Sequence, residues 1–264
     1  MLMNTERTVR KQAKKALEGN WSLIISQIMA ALLPLLTGLF AFSLAMSAAG
    51  IYDTKNPNQL QRILTMIFGG AFFIVAVVLL PLVNGIYRSV CNIVRGRECN
   101  SLDVFYYYKK PKRFFKTLIL DVISIGLFLI VSGLLNVFNY LNAVSGEILN
   151  NSPSLGVFMT ILLVLAWIVS AVVTVVCYII FVHYTLLAYG FNENLPIGVY
   201  LPRMMAFSIK NFIPTIKLFV GFIGWAALCF FVVPAFYAVP YFLTTSAMSA
   251  KWLFELEGSR DIIC

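Results

Sequence analysis

Long apolar runs alternate with short polar connections along this chain. The runs are 21–49, about 64–87, about 117–138, about 155–187, about 216–233 and about 236–254. A helix crossing roughly 30 Å of hydrocarbon needs about 20 residues at 1.5 Å each, so each run predicts a bilayer-spanning helix. Pro34 and Pro81 fall inside runs, while Pro234 and Pro240 bracket the expected connection between the last two. That final pair is tight: only 33 residues separate Lys217 from Lys251, so it reads either as two crossings or as a partly re-entrant hairpin. The expected fold is all-α, a single integral membrane domain over 1–264. It has about six transmembrane helices paired as three hairpins, with amphipathic interfacial helices on the cytoplasmic side.

Charge gives the pattern a direction. With a cytoplasmic N-terminus and six crossings, eighteen of the twenty Lys and Arg residues lie on inner segments and only Lys55 and Arg62 on outer ones. Such an excess marks the cytoplasmic side, so both termini are expected inside a bacterial cell membrane. Asp53 and Glu147 are the outer acidic residues of this reading. The first run has no small-residue cleavage pattern after a short apolar core and is read as a retained span.

Composition agrees: 60% of residues are hydrophobic and 12% charged, with mean hydropathy +0.87, against roughly 25% charge in soluble domains. A net charge of +9 would fit nucleic acid if it covered one face. Here the cations flank apolar runs, and no groove-reading element or stacking platform accompanies them. Nucleic acid is therefore not an expected partner. Five cysteines (Cys91, Cys99, Cys177, Cys229, Cys264) are scattered with no CxxC pair and read as small apolar fillers rather than a disulfide framework.

Two inner segments stand out. Residues 1–20 form a basic amphipathic helix: Val9, Ala13, Ala16 and Leu17 make a narrow apolar stripe beside Arg7, Arg10, Lys11, Lys14 and Lys15. Anionic inner-leaflet lipid attracts such charges at about 1 kcal/mol each, and the stripe would add modest hydrophobic binding. The stretch "VFYYYKKPKRFF" carries Lys109, Lys110, Lys112 and Arg113 behind three tyrosines and reads as an interfacial belt, with tyrosines at headgroup depth. Membrane lipids with anionic headgroups, or a membrane-protein partner, are the expected ligands of this basic belt.

The segments 113–126 and 211–224 coincide at six of fourteen positions without a gap. Each follows a candidate surface helix (about 101–110 and about 199–210), as the first span follows 5–18. The elbows begin at Asn20, Arg113 and Asn211. Repeat units of 1–90, 91–190 and 191–257 follow, all entering from one side and so unlike an inverted transporter repeat.

In order and spacing, "RKQAKKALEGNW" (10–21), "PLVNGIYRSVCNIVRGRECNSLDVFYYYKK" (81–110), "KLFVGFIGW" (217–225) and "VPYFLTTSAMSAKWLFE" (239–255) resemble a bacterial, mainly Firmicutes, membrane family catalogued as domain of unknown function number 975. The resemblance departs at "SIKNFIPTIK" (208–217) and "FFVVPAFYAVPY" (230–241), where that family has a lysine- and glycine-containing elbow and a glycine-rich turn. It implies a polytopic bacterial architecture and no particular activity.

Candidate chemistry is sparse. His183, the only histidine, has no Cys-His grouping to supply the three or four ligands a transition metal needs, and reads as a satisfied interfacial side chain. Asp121 lies a turn inside its span, where a carboxylate needs a partner; Lys116 and the inner basic rim are the expected ones. Gln27, Asn84, Asn136 and Asn139 read as ties between helices or as cavity lining. Gln27, Asp121 and His183 are thus the candidate intramembrane polar site, with no cofactor or metal implied. No HExxH, GxSxG, Walker A or dinucleotide-binding pattern occurs. The expected role is a non-enzymatic membrane-organising or lipid- and partner-binding protein. A small transporter or its accessory subunit is the alternative, and a lipid-modifying membrane enzyme the second.

Overall fold

Apolar runs without β-branched alternation fold as helices, and the computed structural model describes the chain as helical over residues 2–48, 58–136, 156–194, 196–229 and 231–263 with short connections. Asp53, Lys55, Asn139 and Glu147 lie outside the described residues. Helix α1 (Leu2–Leu17) ends where Gly19 takes a left-handed φ of 83°, a conformation that only glycine adopts without strain. Then come α2 (Trp21–Ala48), α3 (Gln59–Val94), a 3₁₀ helix (Ser101–Lys109) and α4 (Pro111–Leu134). Helix α5 (Gly156–Tyr178) passes through a π turn (Ile179–His183) into α6 (Tyr184–Phe191). The C-terminal third holds α7 (Ile197–Lys210), α8 (Phe212–Val220), α9 (Ile223–Leu228), α10 (Val232–Leu256) and α11 (Arg260–Ile263).

Among the described residues four stretches have the length and apolarity of a membrane crossing: Trp21–Ala48, Gln59–Val94, Pro111–Leu134 and Thr160–Phe191. The expected fifth span is not one helix, because a turn at Gly221 and Phe222 splits it into α8 and α9. Nor do Pro234 and Pro240 bracket a connection. Pro234 falls in the first turn of α10, where its missing N–H costs no hydrogen bond, and Pro240 lies inside that helix.

Helix α3 changes character along its length. From Gln59 to Leu80 no residue is buried, and Met66 and Phe73 are 75% and 67% exposed. From Pro81 to Val94 nearly every residue is buried. The exposed half carries a capping box in which Asn58 accepts from the Gln61 amide at 2.8 Å.

The chain packs as two compact units, Met1–Val122 with Leu186–Asn194 and Lys217–Cys264, and Ile123–Thr185 with Leu195–Ile216. In the first, the core gathers the buried half of α3, the 3₁₀ helix, α1 and the C-terminal half of α10. Val9, Ala13 and Leu17 are buried there, and Arg10 lies 5.2 Å from the Phe222 ring centroid. The apolar stripe of α1 therefore faces protein and is not free to enter lipid, as its sequence had implied. Trp21 stacks on Tyr237 at 4.7 Å, and Trp225 meets the same ring at 5.1 Å. In the second unit α7 packs on the π turn. There the Tyr200 hydroxyl donates to the Thr185 carbonyl at 2.5 Å, and Tyr184 and Thr215 share a hydrogen bond of 2.6 Å.

Candidate functional site

Two glycines let other segments lie directly on the buried half of α3. A Cβ on Gly85 would stand 2.1 Å from the Val104 carbonyl oxygen, so only glycine admits the 3₁₀ helix there. A Cβ on Gly190 would be 3.0 Å from Cys91 Sγ and 3.1 Å from the Tyr87 carbonyl oxygen, so α6 also lies against α3, less tightly than the 3₁₀ helix does. The 3₁₀ helix is fixed at its start because Asn100 N–H donates to Asp103 Oδ2 at 2.9 Å and Gln27 Nε2 donates to the Asn100 carbonyl at 2.9 Å. Gln27, fully buried, thus ties α2 to this turn.

These contacts deliver Tyr106 between charged groups from three other segments. The Arg88 guanidinium sits 3.6 Å from the Tyr106 ring centroid and that of Arg113 4.4 Å from it, within the range where a ring quadrupole attracts a cation. The Tyr106 hydroxyl donates to Glu193 Oε1 at 2.7 Å. Arg113 Nη2 approaches the same oxygen at 3.4 Å, and Arg88 Nη1 approaches Oε2 at 3.8 Å. Lys116 Nζ donates to the Glu193 backbone carbonyl. Oε2 is buried and accepts no hydrogen bond from the protein. Burial first, and then the bond to Glu193, hold the Tyr106 phenol above its usual titration range. Two guanidiniums thus share one carboxylate while an ammonium sits on the backbone carbonyl of the same residue, leaving a local surplus of positive charge. The cluster is partly open: the side chains of Arg88, Arg113 and Glu193 are 24%, 32% and 17% exposed.

On α4 the residues Arg113, Thr117 and Asp121 recur every fourth position and so share one helix face. Each finds a different partner. Arg113 meets Glu193, and Thr117 Oγ1 shares a 2.9 Å hydrogen bond with the Tyr189 hydroxyl. Asp121 accepts from Asn84 Nδ2 on both oxygens at 2.7 Å. Lys116, the expected partner of Asp121, turns instead to Glu193. Thr215, which aligns with Thr117 in the internal comparison, bonds Tyr184 in the same way and likewise returns its hydroxyl to the carbonyl four residues earlier, Asn211 O at 2.6 Å against Arg113 O at 2.9 Å. Asn20 and Asn211 are matched too, each donating its side-chain amide to the carbonyl four residues before it.

Of the basic belt, Arg113 belongs to the cluster, Lys109, Lys110 and Lys112 are exposed beside it in the chain, and Lys11, Lys14 and Lys15 are exposed on α1. Tyr107 is turned into the protein: it is fully buried and stacks on Tyr189 at 5.4 Å. Asn136 accepts from Ser170 Oγ at 2.8 Å. His183 is buried in the π turn, its ring 5.0 Å from that of Tyr184 and 6.0 Å from that of Tyr178. It belongs to the second unit, whereas Gln27 and Asp121 belong to the first.

Sequence reasoning passed over Glu193. The signal was present, since it is the single acid in a polar connection, "NEN", otherwise bordered by apolar helices. Among the described residues no three His, Cys, Asp or Glu side chains are grouped to hold a metal ion. Comparison with family models, with curated proteins and with solved structures finds no match. What the cluster can do chemically is hold an anion against two planar guanidiniums, a phenol and an ammonium.

Proposed function

We propose that this chain is a polytopic membrane protein with both termini cytoplasmic, and that its cytoplasmic rim binds anionic lipid headgroups or a membrane-protein partner without catalysing a reaction. The exposure of α3 before Pro81 carries the reading. Its 22 unburied residues, Gln59 to Leu80, span about 33 Å at 1.5 Å each, close to the roughly 30 Å hydrocarbon layer. The helix then becomes buried from Pro81, seven residues before Arg88. In water such a face would be an aggregation liability. In lipid it is a matched span.

Six crossing segments in three hairpins fit the four long apolar helices together with α8–α9 and α10. Phe212 to Leu228 is 17 residues, about 25 Å as helix, so that segment is a bent, short crossing that thins the layer around it. The matched threonine–tyrosine and asparagine bonds support reading the chain as repeated units. The patchwise likeness to domain of unknown function 975 supports the same bacterial architecture. The buried Asn84–Asp121 pair favours one second reading, ion or substrate handling by a small transporter, and Asp121→Asn tests it by removing charge while keeping shape.

Impermeant thiol labelling at Glu98→Cys is the direct test. Labelling is expected in inside-out vesicles and absent in intact cells; labelling of intact cells overturns the topology. Replacing Lys109, Lys110, Lys112 and Arg113 with Gln is expected to reduce co-purified anionic lipid or partner several-fold, and unchanged co-purification with intact insertion overturns the binding role.

A further inference from the structure

We infer that Arg88, Arg113 and Lys116 form a binding site for a phosphate group, and that the Glu193 carboxylate occupies it as an internal counter-anion. The inference deepens the lipid-binding reading and rests on it only for the membrane source of the phosphate. The mismatch at Glu193 is what points to a different ligand. One carboxylate offers two oxygens to two guanidiniums and a phenol, satisfies them unevenly, and leaves the Lys116 ammonium to the backbone carbonyl. Oε1 takes the Tyr106 hydroxyl at 2.7 Å with Arg113 at 3.4 Å, while Oε2, buried, is left with Arg88 at 3.8 Å and no hydrogen bond. Guanidinium forks are built to give paired, short hydrogen bonds to an oxyanion, and here neither does. A phosphate, with three acceptor oxygens and up to two charges, matches both forks and the ammonium together.

The site is also built to be vacated. The connection bearing Glu193 is anchored without its carboxylate, because Asn192 Nδ2 donates to the Asp261 carbonyl at 2.9 Å and Asn194 N–H donates to Asn192 Oδ1 at 3.0 Å. Lys116 holds the Glu193 backbone rather than its side chain. The carboxylate can therefore swing into solvent, from its partly exposed position, without unseating the loop. Lys109, Lys110 and Lys112, exposed in the same segment, raise the local concentration of any incoming anion.

The two sources of such a group, a phospholipid headgroup and a soluble phosphate ester, share this chemistry and separate in one titration. Full-length protein in neutral detergent is titrated with dioctanoyl phosphatidate, inorganic phosphate and dioctanoylglycerol, with affinity read by native mass spectrometry or calorimetry. Wild type is expected to bind phosphatidate and not dioctanoylglycerol. Glu193→Gln is expected to tighten phosphatidate binding about tenfold, the size of one charge-assisted hydrogen bond regained. Arg88→Gln with Arg113→Gln is expected to weaken it at least tenfold. The Glu193→Gln gain is the deciding result, since a misfolded variant does not bind more tightly; an unchanged or weaker affinity there overturns the site. Equal binding of inorganic phosphate and phosphatidate keeps the site and overturns the lipid reading. Loss of phosphatidate binding on replacing Lys109, Lys110 and Lys112, but not on replacing Arg88 and Arg113, does the reverse.

Discussion

Gly85→Ala is a substitution that helix propensity alone would favour, by about 1 kcal/mol, and that the packing forbids. The added methyl carbon would stand 2.1 Å, 2.7 Å and 2.8 Å from the carbonyl oxygen, carbonyl carbon and Cα of Val104. All three are backbone atoms, so no rotamer change relieves the clash; α3 and the 3₁₀ helix must part by more than about 1 Å to restore ordinary contact at about 3.5 Å. Val104 is fully buried and the 3₁₀ helix is pinned through Asn100 and Gln27, which resists that movement. Overpacking costs about 1–3 kcal/mol and more when the backbone must yield. Net destabilisation of about 2–3 kcal/mol is expected after the propensity gain, a midpoint loss of about 5–10 °C at about 2–4 °C per kcal/mol. A thiol-reactive dye follows unfolding of the detergent-solubilised chain, with fully buried Cys91 as the native reporter. Gly69→Ala and Gly70→Ala are the controls in the same helix: nothing lies within 4 Å of either new methyl, and melting should be unchanged or slightly raised. Melting of Gly85→Ala at or above wild type would refute the close approach that places Tyr106.

Three further outcomes follow from the same contacts. Thr117→Val and Tyr189→Phe, made singly and together, should show a coupling of about 1 kcal/mol in a thermal-stability cycle, the worth of one buried hydrogen bond, and additive losses would deny the bond. Asn84→Leu removes both short donors to the buried Asp121 and should destabilise by about 3–5 kcal/mol; adding Asp121→Leu should recover most of that, which a purely steric effect of the leucine would not. Cys99 lies outside the spans, with its thiol pushed up to about 11 by burial first and by Asp103 second. In a chain whose other four cysteines are alanine, its maleimide rate should therefore climb about tenfold per pH unit from pH 7 to pH 10, because only the thiolate reacts; a plateau near pH 8.5 would contradict that environment.

The helices were legible because long runs of apolar letters between short polar connections announce them. What those letters do not distinguish is lipid from protein. "FFIVAVVLL" and "PLVNGIYRSV" adjoin in α3, yet the first is unburied and the second almost wholly buried, since Phe, Val and Leu meet either surroundings with similar ease. The same ambiguity hid what covers α1: its stripe was visible on a helical wheel, but its partner, α10, lies more than two hundred residues away in the chain. The broken fifth span was hidden for the opposite reason. Its composition is as apolar as a crossing, while the turn at Gly221 and Phe222 is a matter of local backbone that hydropathy does not weigh.

The cluster shows where charge counting stops. Eight cations, Arg10, Lys11, Lys14, Lys15, Lys109, Lys110, Lys112 and Arg113, were read as one belt facing headgroups, but a belt has no way to rank its members, and the ranking comes from what is buried beside each. Arg113 differs from Lys112 because its position on α4 is four residues before Thr117 and eight before Asp121, on the face that meets α3 and α6; Lys112 points from a neighbouring position into solvent. Helical periodicity applied to the polar residues of α4, as it was to the apolar ones of α1, would have drawn that face. It would still have lacked Glu193, which arrives from a loop some eighty residues on. A single acid in a chain with 20 Lys and Arg against 11 Asp and Glu has more charges of the opposite sign than of its own to meet. Its pairing with arginine follows from electrostatics, while the choice of Arg88 and Arg113 follows from two glycines that let three segments close around one phenol.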